Sequence, residues 1–113
     1  PRTDLENLAA HSEGLLALSG PIDGFLSSPL RTDDIVTARR RVGELKDIFG
    51  PNLAVRVWRH RLAWEEKLIT KLIALAKWAD VPWVPTNDVR YLNPKDRRVL
   101  DVMTCLKHRV TLD

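Results

Sequence analysis

The chain has 113 residues, of which 44% are hydrophobic and 29% are charged, and its formal net charge is +3 at pH 7. This length and composition predict one globular domain over residues 1–113 and exclude a disordered chain. A single cysteine, Cys105, excludes an intrachain disulfide and favours a reducing, intracellular setting. Apolar runs are too short for a membrane span, so no membrane partner is expected. The first and last residues, Pro1 and Asp113, suggest a domain excised from a longer chain, although removal of an initiator methionine before Pro1 would leave the same N-terminus.

The first predicted element is a helix at the N-terminus. The run Thr3-Asp4-Leu5-Glu6 has the pattern of a capping box, in which the threonine and the glutamate satisfy free amides at a helix start. Gly20-Pro21 ends this segment, because glycine adopts the left-handed cap and proline cannot continue a helix. A loop follows from Pro21 to Pro29, with Phe25 and Leu26 expected to anchor it in the core.

A second helix is predicted from about Thr32 to Gly50-Pro51. Asp33 and Asp34 complement the positive end of its dipole. Its apolar face consists of Ile35, Ala38, Val42, Leu45 and Phe49. Arg39 and Lys46 align as a basic stripe beside that face, whereas Arg40 is expected to pair with Glu44.

The third predicted helix, from about Asn52 to Asp80, is the longest element. At about 100 degrees per residue, its apolar residues cover roughly half of the helix circumference. An apolar face of this width is typical of a helix that packs on several neighbours. Trp58 and Trp64 fall within it and are expected in the core, together with Leu72.

The last part of the chain is predicted to be extended and then helical. Two prolines favour an extended segment after residue 80, and Asn93-Pro94 then starts a fourth helix. The buried stripe of this helix is expected to be Val99, Val102, Met103, Leu106 and Val110. The predicted fold is therefore all-α, a single-domain bundle of about four helices around the long central third helix.

The outer face of the third helix is unusually basic. Only one acid, Glu66, accompanies its cations, and Trp78 projects among them. Cations that bind phosphates and a ring that stacks on bases are what nucleic-acid surfaces require, although a solubilising helix face has the same pattern. The predicted contacts are Arg56, Arg59, His60, Lys67, Lys71, Lys77 and Trp78, with Arg39 and Lys46 alongside.

No motif in the sequence indicates a reaction. Glycine-rich phosphate loops, nucleophile elbows and His-Glu-x-x-His patterns are missing. Cys105 and His108 could supply half of a metal site, but no second Cys/His pair completes it. We therefore expect no catalytic residues, no metal and no cofactor.

The predicted function is a non-catalytic binding module for nucleic acid, including RNA, or for a nucleoprotein complex. The alternative is a protein-interaction or self-association domain that uses an aromatic surface around Trp78, Trp83 and Tyr91. The modest net charge keeps both hypotheses open, because acids occur along every helix.

Overall fold

A computed structural model describes residues 3–59, 63–87 and 89–112 and shows an α/β fold. The elements in chain order are α1 (Leu5–Ala10), β1 (Ala17–Leu18), α2 (Ser27–Arg31), α3 (Ile35–Phe49), β2 (Leu53–Val57), α4 (Ala63–Ala79), β3 (Trp83–Pro85) and α5 (Arg97–His108). Two 3-10 turns, Gly50–Asn52 and Pro94–Asp96, precede β2 and α5. The predicted all-α bundle is therefore wrong.

The three strands form one parallel sheet in the order β1-β2-β3. Ala17 of β1 is aligned with Leu53 of β2, and Val55 of β2 is aligned with Trp83 of β3. Parallel neighbours cannot be joined by a tight hairpin, so each connection must cross over one face of the sheet. Helices α2 and α3 make the first connection and α4 makes the second.

Strand β2 explains why the long third helix was predicted wrongly. Leu53, Val55 and Val57 are buried and alternate with the partly buried Ala54 and Arg56. This period of two is the pattern of a strand, but over five residues it is short enough to be absorbed into a helical pattern. The helix proper, α4, begins only at Ala63.

The N-terminal helix is shorter than predicted. It ends at Ala10, and its cap is Asp4, whose carboxylate accepts the backbone N–H of Asn7 at 2.8 Å. The predicted role of Thr3 as the cap is therefore wrong. The expected anchors of the following loop are confirmed, since Leu26 is fully buried and Phe25 packs against the core.

Helix α3 confirms the second predicted helix. Asp34 caps its start by accepting the N–H of Thr37 at 3.0 Å, and Gly50 ends it at a positive φ of 51°. Glycine adopts this conformation without steric cost. The predicted pair of Arg40 and Glu44 is present at 2.7 Å.

The core lies between β2 and the helices α2, α3 and α4. Helix α4, which carries Leu68 and Leu72, contacts β2, α2 and α3 and so lies at the centre of this α/β fold. Both leucines are buried, and so is Trp58. The side chain of Trp64 lies outside the described part of the chain. No helix in the described ranges is long and apolar enough to cross a lipid bilayer.

Helix α5 begins as predicted but does not bury the face that was expected. The N–H of Asn93 donates to the Asp96 carboxylate at 3.1 Å at its start. None of its residues is buried, so the predicted buried stripe is wrong. Amphipathic spacing indicates which residues would be buried together, but a partner surface has to be present to cover them.

Leu72→Ala should lower the free energy of unfolding by about 2–5 kcal/mol, the usual cost of emptying a buried leucine site. Leu106→Ala is the matched control, because Leu106 is 74% exposed whereas Leu72 is 0% exposed. Urea denaturation of the two variants measures the difference. Equal midpoints for both variants would contradict the central position of α4.

Candidate functional site

The predicted basic surface is divided among different elements of the fold. Arg56 lies on β2 and Arg59 follows that strand, whereas Lys67, Lys71 and Lys77 lie on α4. His60 lies outside the described residues. Because successive side chains of a strand point to opposite faces of the sheet, Arg56 cannot continue a helical stripe. The single basic helix face predicted from the sequence is therefore wrong.

The two arginines near the end of β2 are bound to neighbouring side chains. Arg56 Nε donates to Oγ1 of Thr86 at 2.7 Å, and its guanidinium lies 5.7 Å from the centroid of the Trp58 ring. Arg59 Nε donates to Oε1 of Glu66 at 2.7 Å. These contacts link β2 to the segment after β3 and to the first turns of α4.

Lys71 joins α4 to the connection between α2 and α3. Its Nζ donates to the carbonyl oxygen of Leu30 at 2.9 Å and to the carboxylate of Asp33 at 2.6 Å. The hydrogen bond and the charge of Lys71 lower the pKa of Asp33 below its ordinary value of 3.8. Lys71 thus has a structural role.

Arg39 and Lys46 do lie beside α4, and both contact its C-terminal end. The Arg39 guanidinium lies 4.6 Å from the centroid of the Trp78 ring. Lys46 Nζ donates to the carbonyl oxygen of Ala79 at 2.6 Å and is 3.4 Å from that of Asp80. A cation at this end of a helix satisfies carbonyls that have no partner within the helix. Lys67 and Lys77 are exposed on α4.

The three aromatic residues of the alternative hypothesis do not line a common cavity in the described structure. Trp83 lines a cavity with α4, whereas Tyr91 lines another with α5. Trp78 is 56% exposed, and the Arg39 guanidinium lies over its ring. Only Trp83 therefore lies near the polar groups at the end of the sheet.

The most distinctive candidate site is a cavity of about 560 Å³ at the carboxyl ends of β2 and β3. Its apolar wall includes Ile69, Ile73 and Trp83. Its polar lining consists of Arg59, Glu66, Thr86 and Asn87. Proteins with parallel sheets place their binding sites at this edge, where the loops after successive strands meet. We name this cavity, with its four polar residues, the carboxyl-edge cavity.

Thr86 and Asn87 were missed in the sequence because β3 was not predicted as a strand. Polar residues directly after an apolar run, here after Trp83–Pro85, were the available signal. Glu65 is a buried acid close to this region in the sequence and is only 2% exposed. It lies in the first turn of α4, where the helix dipole favours a negative charge.

The described residues contain no group of three or more His, Cys, Asp or Glu side chains that could hold a metal ion. Cys105 is a partly exposed free thiol on α5, and its Sγ is 3.5 Å from the carbonyl oxygen of Thr111. The polar lining of the carboxyl-edge cavity is an arginine paired with a glutamate, a threonine and an asparagine, groups that can hydrogen-bond a ligand.

The chain is similar to part of several bacterial DNA polymerases, although no family model matches it. It is 33% identical over 112 residues to the DNA polymerase III subunit alpha of Aquifex aeolicus. The matched region is 99% of this chain but 10% of that protein. The Thermus aquaticus subunit is 31% identical over 113 residues, which are 9% of its length. An error-prone DNA polymerase of Anaeromyxobacter dehalogenans is 36% identical over 109 residues, 96% of this chain and 8% of that protein.

These relatives correct the function expected from the sequence. They are named as DNA polymerases, which are enzymes, so the predictions of a non-catalytic binding module and of a self-association domain are contradicted. The chain spans about a tenth of the length of the relatives it matches.

Asp33→Asn should lower stability at neutral pH by removing the carboxylate that binds Lys71. Asparagine tolerates the left-handed φ of 61° at this position as aspartate does. Because the folded pKa lies below 3.8, the contribution is present above that value and is lost as the pH falls through the lower folded pKa.

The measurement is the difference in urea midpoint between wild type and variant, which should shrink between neutral pH and about pH 2. Asp47→Asn, at an exposed position of α3, is the control. A difference that is independent of pH would contradict the proposed Asp33–Lys71 interaction.

Arg39 and Trp78 should be energetically coupled through their cation–π contact. A double-mutant cycle with Arg39→Ala and Trp78→Ala should give a coupling energy of about 0.5–1 kcal/mol, typical of such a pair at an exposed site. The same cycle with Lys77→Ala in place of Arg39→Ala is the control. Coupling no larger than in the control would show that the ring contact does not persist in solution.

Proposed function

We propose that this chain is a segment of a DNA polymerase of the type named DNA polymerase III subunit alpha or error-prone DNA polymerase. The observation that supports it is similarity over 96–100% of the chain to proteins with both names, at 31–36% identity. Nucleic acid, or a protein bound to it, is then the partner of the whole enzyme, and the setting is intracellular. The segment contributes an α/β part to that enzyme.

Within the polymerase, the segment acts through its carboxyl-edge cavity. A guanidinium such as that of Arg59 can bind two phosphate oxygens at once, and an amide such as that of Asn87 can bind a third polar group. The Arg59 side chain is 71% exposed beside the cavity while Glu66 orients it. A phosphate group of the polymerase's nucleic-acid substrates is the ligand that this set of side chains suits best.

The other predicted basic residues have different roles in this proposal. Arg39, Lys46, Arg56 and Lys71 stabilise the fold through the contacts described above. Lys67 and Lys77 on α4 are exposed, as is Arg59, and in this proposal they contact phosphates. Weak, solvated contacts of this kind add affinity without sequence specificity.

The experiment requires the polymerase-length chain that contains residues 1–113. Arg59→Ala and Asn87→Ala should each lower primer extension about tenfold at limiting DNA, the effect of losing one hydrogen bond to a charged group. Arg40→Ala is the matched control, since Arg40 is also an exposed arginine that pairs with a glutamate at 2.7 Å, but it does not line the cavity.

Two results would contradict the proposal in different ways. If the polymerase-length chain did not extend a primed template, the assignment to the polymerases would be wrong. If it did so and the Arg59 and Asn87 variants matched the Arg40 control, the assignment of the carboxyl-edge cavity would be wrong.

A further inference from the structure

Helix α5 presents an uncharged apolar stripe to solvent. We use the name α5 stripe for Val99, Val102, Met103 and Leu106, which lie on one side of the helix at helical spacing. Their exposed fractions range from 41% to 74%. The opposite side is polar and includes Arg97 and Asp101, which pair at 3.7 Å. This division is that of a helix that packs with one face against another surface.

The surface next to the α5 stripe extends the apolar area. Leu92 is 92% exposed, and with Tyr91 it lines a cavity of about 330 Å³ whose other wall includes Val99 and Met103. Contiguous apolar surface of this kind on a soluble protein marks a site of interaction. The apolar area thus combines a cavity with the neighbouring helix face. A helix or an extended polypeptide segment could pack on such a surface.

The stability of α5 also requires a covering surface. The helix has 12 residues, and its main contacts in the described chain are with the 3-10 turn Pro94–Asp96 that precedes it. Isolated helices of this length are marginal in water, and most helical stability in proteins comes from packing of the apolar face. The α5 stripe is the part of the helix available for that packing.

We infer that the α5 stripe packs against another segment of the same polypeptide, outside residues 1–113. This inference rests on the proposed function, because the polymerases that match the chain are about ten times longer. The match to the Thermus aquaticus subunit covers all 113 residues, so α5 belongs to the shared part. Packing within one chain is intramolecular, and its effective concentration reaches about the millimolar range for short linkers, so it is favoured over a second copy at lower concentrations.

Hydrogen–deuterium exchange of the polymerase-length chain tests this inference directly. The amides of α5 should exchange at least about 100-fold more slowly there than in the 113-residue chain, because only a packed helix resists local opening. Met103→Glu and Leu106→Glu should remove this protection in the longer chain. Thr104→Glu, the same substitution on the exposed opposite side of α5, should leave it unchanged.

The inference is overturned if protection in the longer chain survives Leu106→Glu, or if α5 exchanges at the same rate in both chains. A dimer of the 113-residue chain that Leu106→Glu dissociates would instead identify a second copy as the partner. If the shorter chain did not fold alone, the longer chain would still test the inference. There the exchange rate of α5 in Met103→Glu and Leu106→Glu is compared with that in Thr104→Glu. Primer extension tests the assignment to the polymerases, and hydrogen–deuterium exchange tests the packing of α5. The two measurements are independent, so failure of one proposal can be distinguished from failure of the other.

Discussion

The pairing of β2 with a parallel strand on each side is the constraint on which the rest of the fold depends. The N–H of Ser19 donates to the carbonyl oxygen of Ala54 at 3.1 Å, and the N–H of Val55 donates to that of Pro82 at 2.8 Å. Parallel neighbours require long crossovers, and these crossovers are the helices α2, α3 and α4. The buried side of β2 then supplies the surface on which α3 and α4 pack, and α2 packs on those two helices.

Lysine side chains link neighbouring helices by donating hydrogen bonds to backbone carbonyl oxygens at helix C-termini. Lys46 binds carbonyls at the end of α4, and Lys71 binds the carbonyl of Leu30 at the end of α2. Helix ends leave carbonyls without partners, so a lysine from a neighbouring helix both satisfies them and sets the distance between the helices. Lys46 and Lys71 therefore contribute to the packing of the helices.

The same strand order also creates the carboxyl-edge cavity. The chain leaves β2 at Val57 and β3 at Pro85 on one side of the sheet, so Arg59 and Asn87 line the same cavity although they are 28 positions apart in the sequence. The similarity to DNA polymerases is the reason for proposing a phosphate group as the ligand at this edge of the sheet. The parallel sheet thus brings together the side chains of the carboxyl-edge cavity, whereas it leaves the α5 stripe uncovered.

Local signals in the sequence determined the ends of several elements. Asp34 and Gly50 bound α3, and Asn93 starts the final helical segment, because capping depends only on residues within one turn. The pair of Arg40 and Glu44 followed from spacing on one helix in the same way. Leu72 was recognised as buried because its neighbours repeat at a helical period.

Tertiary structure alone decided the identity of β2, the partners of the cations and the exposure of α5. Residues Leu53–Val57 fit either period locally, and only hydrogen bonds to β1 and β3, distant in sequence, select the strand. Lys71 meets Asp33 across 38 positions, a distance that no helical spacing predicts. The α5 stripe has the pattern of a buried face, but burial is a property of two surfaces, and the sequence pattern describes one.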